Sequence, residues 1–209
     1  MLIGLWLFII GVAIGSFLNV VVYRTVYDKS PLEGRSRCPE CDKKISWKHN
    51  IPLLSFILLK GKCAHCKSKI SLQYPVVELL TGLLFVWWYV VGWSFFQLVE
   101  SPLFWIQPIF WLGVGIALLL VTVFDFKYGI IPNGLNAALF VWVLVYRLGL
   151  VSMGRMQTRD FLLALLSSLV LTAFFYFLYW VTKKQGFGFG DVKLAPSLGL
   201  ILGWPRILV

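Results

Sequence analysis

Five long apolar runs and the start of a sixth alternate with polar segments along the chain. They cover approximately residues 2–23, 74–93, 103–124, 134–146 and 161–181, and the sixth begins near residue 192. Because a helix needs about 20 apolar residues to cross the hydrocarbon core of a bilayer, the pattern predicts an all-α polytopic membrane protein with about six transmembrane helices. The sequence lacks the alternation that is typical of a membrane β-barrel.

The distribution of charge predicts the orientation of the chain in the membrane. Residues 24–74 hold eleven Lys or Arg and four Asp or Glu. Basic residues are in excess on the cytoplasmic side, so we expect this loop in the cytoplasm and the N-terminus outside. The same bias accounts for the net charge of +10, and we expect the lipid bilayer, and no nucleic acid, as a partner. The first run is not expected to be a cleaved signal peptide, because it has no basic n-region, it is long, and Asn19 and Arg24 stand in place of a small-residue cleavage site.

Small and polar residues within the runs predict how the helices pack. Gly11, Gly15 and Ser16 recur at helical spacing, which favours close packing of the first helix against another. Asn19 is expected to form an inter-helix hydrogen bond rather than to act in catalysis. The short fourth run is followed by a segment with several arginines, 147–160, which we expect outside the cell as a loop that begins at Arg147.

All four cysteines lie in the predicted cytoplasmic loop. Cys38 and Cys41 form one Cys-x-x-Cys pair, and Cys63 and Cys66 form another after 21 intervening residues. Two such pairs can close a tetrahedral zinc site with four sulfur ligands, which is structural because no position remains for water. Disulfides are the alternative, and a cytoplasmic location disfavours them. His65 could replace a ligand, but we expect it to be solvated.

Two further features of this region allow more than one interpretation. The segment 47–56 either dips into the membrane interface or packs on the cysteine pairs. Glu78 lies about one turn inside the second run. It is either a snorkelling or paired carboxylate or part of a binding pocket.

Two aspartates lie at the ends of apolar runs. Asp125 follows the third run, and Asp191 follows the glycines at 186, 188 and 190. Counting crossings places both at the cytoplasmic ends of their helices. Two carboxylates at one depth in a partly dry site share a proton, which provides a general base beside a general acid. The alternative is that each caps the next helix.

The sequence resembles the bacterial type IV prepilin peptidases, a branch of the G-x-G-D membrane aspartic proteases. Nearly the whole chain takes part in the resemblance. The matching motifs are residues 15–20 (GSFLNV) with Arg24, Cys38-Pro39-x-Cys41, residues 50–55 (NIPLLS), residues 61–66 (GKCAHC), residues 74–78 (YPVVE), Asp125 with Pro132-Asn133, and residues 188–194 (GFGDVKL).

The resemblance implies an aspartic endopeptidase of the bacterial inner membrane. Such enzymes remove the basic leader of type IV prepilins or type II secretion pseudopilins after a glycine, at the cytoplasmic face. Many then methylate the new N-terminus with S-adenosylmethionine. Asp125 and Asp191 would be the catalytic dyad, supported by Pro132, Asn133, Gly188, Gly190 and Lys193. Glu78 and Asn50 are candidates for binding the methyl donor.

The sequence predicts three parts and leaves two competing functions open. The parts are a first transmembrane helix at 1–23, a zinc-binding loop at 24–74 and a peptidase core at 75–209. The family usually continues for one or two helices beyond residue 204, so we expect the chain to be short at its C-terminus. The competing functions are an intramembrane G-x-G-D protease with other substrates and a non-enzymatic membrane adaptor that docks a partner through its zinc knuckle.

Overall fold

The computed structural model describes residues 2–30, 33–92, 102–182 and 188–204, and these residues form helices and loops without a β-strand. In the described residues seven α-helices follow one another, with a 3-10 turn at Trp47–His49 and a π-helical turn at Trp88–Gly92. The α-helices are α1 Leu2–Val26, α2 Leu54–Leu58, α3 Gln73–Trp87, α4 Leu103–Tyr128, α5 Asn133–Ser152, α6 Thr158–Val181 and α7 Phe189–Leu202. The all-α prediction is confirmed.

Five helices are long and apolar enough to cross a membrane: α1, α3 with its π-helical turn, α4, α5 and α6. The sixth predicted helix, α7, has 14 residues and is shorter than a full crossing requires. It begins at Phe189, three residues before the predicted start. The prediction of a multi-pass membrane protein is therefore confirmed, with five spans among the described residues instead of about six.

The chain divides into two compact units, Met1–Val123 and Phe124–Val209. In the first, α1 packs closely against α3 because glycines remove side chains from the contact. A Cβ atom on Gly11 would lie 2.8 Å from the carbonyl oxygen of Thr81, and one on Gly15 would lie 2.8 Å from the Cα atom of Glu78. The predicted small-residue face is confirmed.

Asn19 connects the same two helices through hydrogen bonds. Its Nδ2 atom donates to the carbonyl oxygen of Tyr74 at 3.1 Å, and its Oδ1 atom accepts from Gln73 Nε2 at 3.4 Å. Asn19 is almost completely buried, and an amide in that position needs partners to offset its desolvation. The predicted inter-helix hydrogen bond is confirmed.

In the second unit, α7 packs against α6 and α5. A Cβ atom on Gly199 would lie 2.5 Å from the Cα atom of Ser168, and the Ser168 hydroxyl donates to the carbonyl oxygen of Pro196 at 2.8 Å. Pro196 lacks a backbone N–H and therefore donates no hydrogen bond within α7. Polar and small residues thus bring the two helix backbones together, as is common within membranes.

The prediction that the outside loop begins at Arg147 is wrong. Helix α5 continues to Ser152, and Arg147 lies within it. Its Nη2 atom donates to the carbonyl oxygen of Ile201 at 3.0 Å, next to Gly203, whose φ of +67° ends α7. A cation at a helix C-terminus interacts favourably with the free carbonyl groups and the helix dipole. The charge therefore has a structural partner within the unit, which an analysis of apolar runs does not detect.

Candidate functional site

The two Cys-x-x-Cys pairs fold into two similar knuckles. Antiparallel bridges join Arg37 to Lys44 in the first and Lys62 to Lys69 in the second. In the first knuckle the N–H of Cys38 donates to the carbonyl oxygen of Lys43 at 3.1 Å. The N–H of Cys63 makes the equivalent bond to Ser68 at 2.8 Å. The backbone hydrogen bonds within each short hairpin therefore orient its two thiols.

A positive backbone angle recurs at the same place in each knuckle. Asp42 follows Cys41 with a φ of +52°, and Lys67 follows Cys66 with a φ of +61°. Residues other than glycine rarely adopt this conformation, so its repetition marks a shared turn. In the first knuckle, Arg37 also forms an ion pair with Asp42 at 2.7 Å.

The four thiols converge on one point. Their Sγ atoms all lie within 4.8 Å of one another, and those of Cys38 and Cys66 are 3.9 Å apart. Four sulfurs around a tetrahedral zinc ion, each at about 2.3 Å, are separated by about 3.8 Å. The cluster can hold a metal ion. His65 is exposed and is not part of the group.

The electrostatics of the cluster favour bound cations. Hydrogen bonds from the hydroxyl and backbone N–H of Ser68 lower the pKa of Cys66 to about 6. The backbone N–H of Lys43 lowers the pKa of Cys41, but burial and the thiols of Cys66 and Cys38 outweigh it and raise that pKa to about 11. Part of the rise in the pKa of Cys41 comes from Coulombic repulsion by Cys38, which a bound cation would relieve.

Glu78 has a structural partner in the loop. It is buried in α3, and its Oε2 atom accepts a hydrogen bond from the backbone N–H of Leu53 at 2.7 Å. Leu53 has a φ of +58°, which is uncommon for a residue other than glycine. Both interpretations of Glu78, a snorkelling or paired carboxylate and part of a binding pocket, stay predictions. Asn50 is exposed at the end of the 3-10 turn, and a role of Glu78 or Asn50 in methyl-donor binding stays a prediction.

Asp125 lies in the last turn of α4, which extends one turn beyond its predicted end. Gly129, with a φ of +62°, ends the helix and donates its N–H to the carbonyl oxygen of Asp125 at 2.8 Å. This is the bond of an αL C-cap, which suits glycine. The carboxylate is exposed at a helix end where the dipole opposes a negative charge. Asp125 therefore does not cap the helix that follows.

Asp191 lies in the first turn of α7 and is exposed. Its backbone N–H donates to the carbonyl oxygen of Gly188 at 3.2 Å, and the helix dipole favours a negative charge there. Gly188 is the N-cap with a φ of −73°, so it does not use the left-handed conformations open to glycine. Gly186 lies outside the described residues.

The structure connects the segment that follows Asp125 to the helix that carries Asp191. Lys193 Nζ donates to Asn133 Oδ1 at 2.7 Å, which connects the first turns of α5 and α7. A Cβ atom on Gly190 would lie 3.0 Å from the Cδ1 atom of the buried Ile131. Pro132 follows Ile131 and is the N-cap of α5 with an extended backbone. We call these two contacts the α5–α7 joint.

The joint brings together several of the residues predicted for the site, but not the two carboxylates themselves. Among the described residues, no hydrogen bond or ion pair involves the side chain of Asp125 or Asp191. Their pairing in a dyad stays a prediction. The contribution of Ile131 was not predicted, because a single apolar residue between two runs carries no signal of its partner.

Comparison with known proteins places this arrangement in a family. Residues 9–92 match the bacterial peptidase A24 N-terminal domain, and residues 112–209 match the type IV leader peptidase family. The chain belongs to the type IV leader peptidase family. The predicted resemblance is confirmed, and the matched type IV leader peptidase segment contains both aspartates and the α5–α7 joint.

Curated relatives of this family cover nearly the whole chain. A prepilin leader peptidase/N-methyltransferase of Klebsiella pneumoniae is 32% identical over 98% of this chain and 87% of its own length. The protein of that name in Vibrio cholerae is 31% identical over 93% of this chain and 76% of its own length. The one in Myxococcus xanthus is 34% identical over 99% of this chain, which spans 58% of that relative. No solved structure matches.

Proposed function

We propose that this protein of the type IV leader peptidase family is a membrane aspartic endopeptidase that removes the leader of type IV prepilins or pseudopilins and then methylates the new N-terminus. The observation that carries the proposal is the α5–α7 joint. It links the segment after Asp125 to the turn that holds Asp191. The names of the relatives supply the substrate class.

Asp191 and Asp125 act as base and acid in this proposal. Asp191 takes a proton from water as the water attacks the carbonyl carbon of the scissile bond. Asp125 donates a proton to the leaving nitrogen, which becomes the free amine of the mature protein. Both side chains are exposed, as a site that consumes water requires.

The glycine before the scissile bond fits the same region. Gly188 and Gly190 carry no side chains beside Asp191, and Gly190 already packs against Ile131. A substrate backbone without a side chain can approach this turn, whereas a larger residue would clash. The substrate's apolar helix would lie in the bilayer while its basic leader stays in the cytoplasm, where we place the cysteine knuckles.

The metal in this proposal is zinc with a structural role. Cys38, Cys41, Cys63 and Cys66 would hold it, and the spacing of their sulfurs suits its tetrahedral geometry. Four thiolate ligands leave no position for water, so the ion would fold the loop without taking part in cleavage. S-adenosylmethionine would supply the methyl group of the second activity, with Glu78 and Asn50 as candidates for its site.

Mass spectrometry of a model prepilin incubated with the protein in detergent tests the function. We expect loss of the leader after glycine, and a further methyl mass when S-adenosylmethionine is added. Asp125→Asn and Asp191→Asn should each abolish cleavage. Full cleavage by either variant contradicts the dyad. Cleavage of a transmembrane substrate without a prepilin leader would favour a general intramembrane protease, and essential cysteines with dispensable aspartates would favour an adaptor.

A further inference from the structure

The chain between the two knuckles exposes apolar side chains beside basic ones. Trp47, Ile57 and Leu58 are each 69% exposed, and Leu54 is 47% exposed. Lys48 and Lys60 lie at the two ends of this group, with Lys48 Nζ 5.7 Å from the centre of the Trp47 ring. We call these six residues the interfacial patch.

The short helix α2 gives the patch a defined apolar face. Leu54, Ile57 and Leu58 stand at positions i, i+3 and i+4, which lie on one side of a helix. Ser55, in the same helix, is buried. Its hydroxyl accepts from the N–H of Ile51 at 2.9 Å and donates to the carbonyl oxygen of Lys48 at 3.3 Å. The loop is thus folded on its inner side, while its apolar side is left uncovered in this unit.

The bond between Leu53 and Glu78 sets the position of the patch relative to the membrane. Helix α3 with its π-helical turn is a candidate span that begins at Gln73. Glu78 is five residues further along, which corresponds to about 7.5 Å of helix rise. Leu53 contacts its carboxylate at 2.7 Å and directly precedes α2. The apolar face therefore begins at the level where α3 enters the bilayer.

We propose that the interfacial patch inserts into the headgroup region of the membrane and contacts anionic lipid. Trp47 and the apolar face of α2 provide surface that gains from leaving water, and tryptophan favours this depth. Lys48 and Lys60 provide the charges that attract anionic headgroups. The cysteine loop would then be held on the membrane between its two ends.

Photocrosslinking in nanodiscs of phosphatidylglycerol tests the proposal. The photoreactive residue p-benzoylphenylalanine replaces Ile57 in the whole protein, and Leu58 offers a second position on the same face. Glu40, which is exposed at the tip of the first knuckle, serves as the control. We expect a mass increase of one phospholipid at 57 and at 58, and no lipid adduct at 40.

Other adducts would overturn the proposal. A crosslink at 57 between two copies would identify the patch as a dimer surface, and one to an added prepilin would identify a substrate surface. Absence of any lipid adduct at both 57 and 58, in protein that retains its metal, would show that the patch faces water.

Three further variants test the separate contributions of the two lysines and of Glu78. Lys48→Gln and Lys60→Gln should each lower the ratio of adducts in phosphatidylglycerol to those in phosphatidylcholine, roughly fivefold per lysine. An unchanged ratio would overturn the anionic preference. Glu78→Ala should lower the adduct yield at 57 because Leu53 loses its partner, and an unchanged yield would overturn the anchoring by Glu78.

Discussion

The cysteine cluster and the aspartate segments reach their geometry by different means. Each half of the cluster is a short hairpin with its own bridge and its own backbone hydrogen bonds. Asp125 and Asp191 stand 66 positions apart, and the segment after Asp125 meets the helix of Asp191 through the α5–α7 joint. Each half of the cluster is therefore determined locally, whereas the aspartates depend on how helices pack.

This difference predicts where each site is sensitive. A locally folded cluster tolerates changes elsewhere and fails when a ligand is lost. A site that rests on one hydrogen bond and one close contact responds to small changes at the joint, even though no joint residue takes part in bond making. The predictions below test both halves of this comparison.

The largest effect on cleavage is expected from substitution of the two aspartates. Asp125→Asn and Asp191→Asn each remove a proton acceptor or donor, and acid–base groups contribute about 100-fold to 10,000-fold in rate. We expect prepilin cleavage to fall by at least about 100-fold, measured by mass spectrometry over time. Metal content and the thermal unfolding of the protein should be unchanged, since both side chains are exposed.

Loss of a cysteine should remove the metal and leave a smaller effect on cleavage. Cys63→Ser takes one of the four sulfurs, so we expect the metal content of the purified protein to fall close to zero. The matched control is His65→Ala, which should retain the metal because His65 lies outside the sulfur cluster. Equal metal content in Cys63→Ser and the unmodified protein would contradict the four-sulfur site. Cleavage should persist, because the cysteines provide no group to the reaction.

The addition of a single methyl group at the joint should slow cleavage moderately. In Gly190→Ala the new Cβ atom would lie 3.0 Å from the Cδ1 atom of Ile131, whereas in the control Gly134→Ala no atom lies within 4 Å of it. Overpacking of this kind costs about 1 kcal/mol or more, so Gly190→Ala should slow cleavage about fivefold or more and Gly134→Ala should not. Adding Ile131→Val, which removes the Cδ1 atom, should restore part of the rate. No recovery in the double variant would argue against this contact as the cause.

The smallest effect is expected from the hydrogen bond of the joint. Asn133→Ala and Lys193→Met each remove it, and such a bond contributes about 0.5–1.5 kcal/mol. We expect cleavage to slow severalfold in each variant. The double variant should be little worse than either single one, because both remove the same interaction. Additive losses would show that the two side chains act independently.

Much of the fold and part of the site follow from the sequence for physical reasons. Apolar runs identify the helices, and the spacing of Cys38 to Cys66 identifies a cluster because the pairs need only local turns. The sequence predicts that Asn19 forms an inter-helix hydrogen bond, since a buried amide requires a partner. These features depend on neighbours in the chain or on a general cost of burial.

Contacts between segments that are far apart in the chain cannot be predicted from the sequence. The hydrogen bond from Leu53 to Glu78 depends on a loop that folds back to α3. The positive φ of Leu53 cannot be predicted from its residue type. Arg147 was assigned to a loop because an isolated charge in an apolar run suggests an end. Its true partner, the C-terminus of α7, is set by tertiary packing alone.

The repeated knuckle has a consequence for folding. Each hairpin has short-range contacts and can form early, since local contacts close small loops at little entropic cost. A metal ion that joins them closes the chain between Cys41 and Cys63, the connector that contains the interfacial patch. Closing a loop of this length restricts the unfolded chain by about 3 kcal/mol in a chain-entropy treatment. The ion would thus restrict the conformations of a segment that it does not contact.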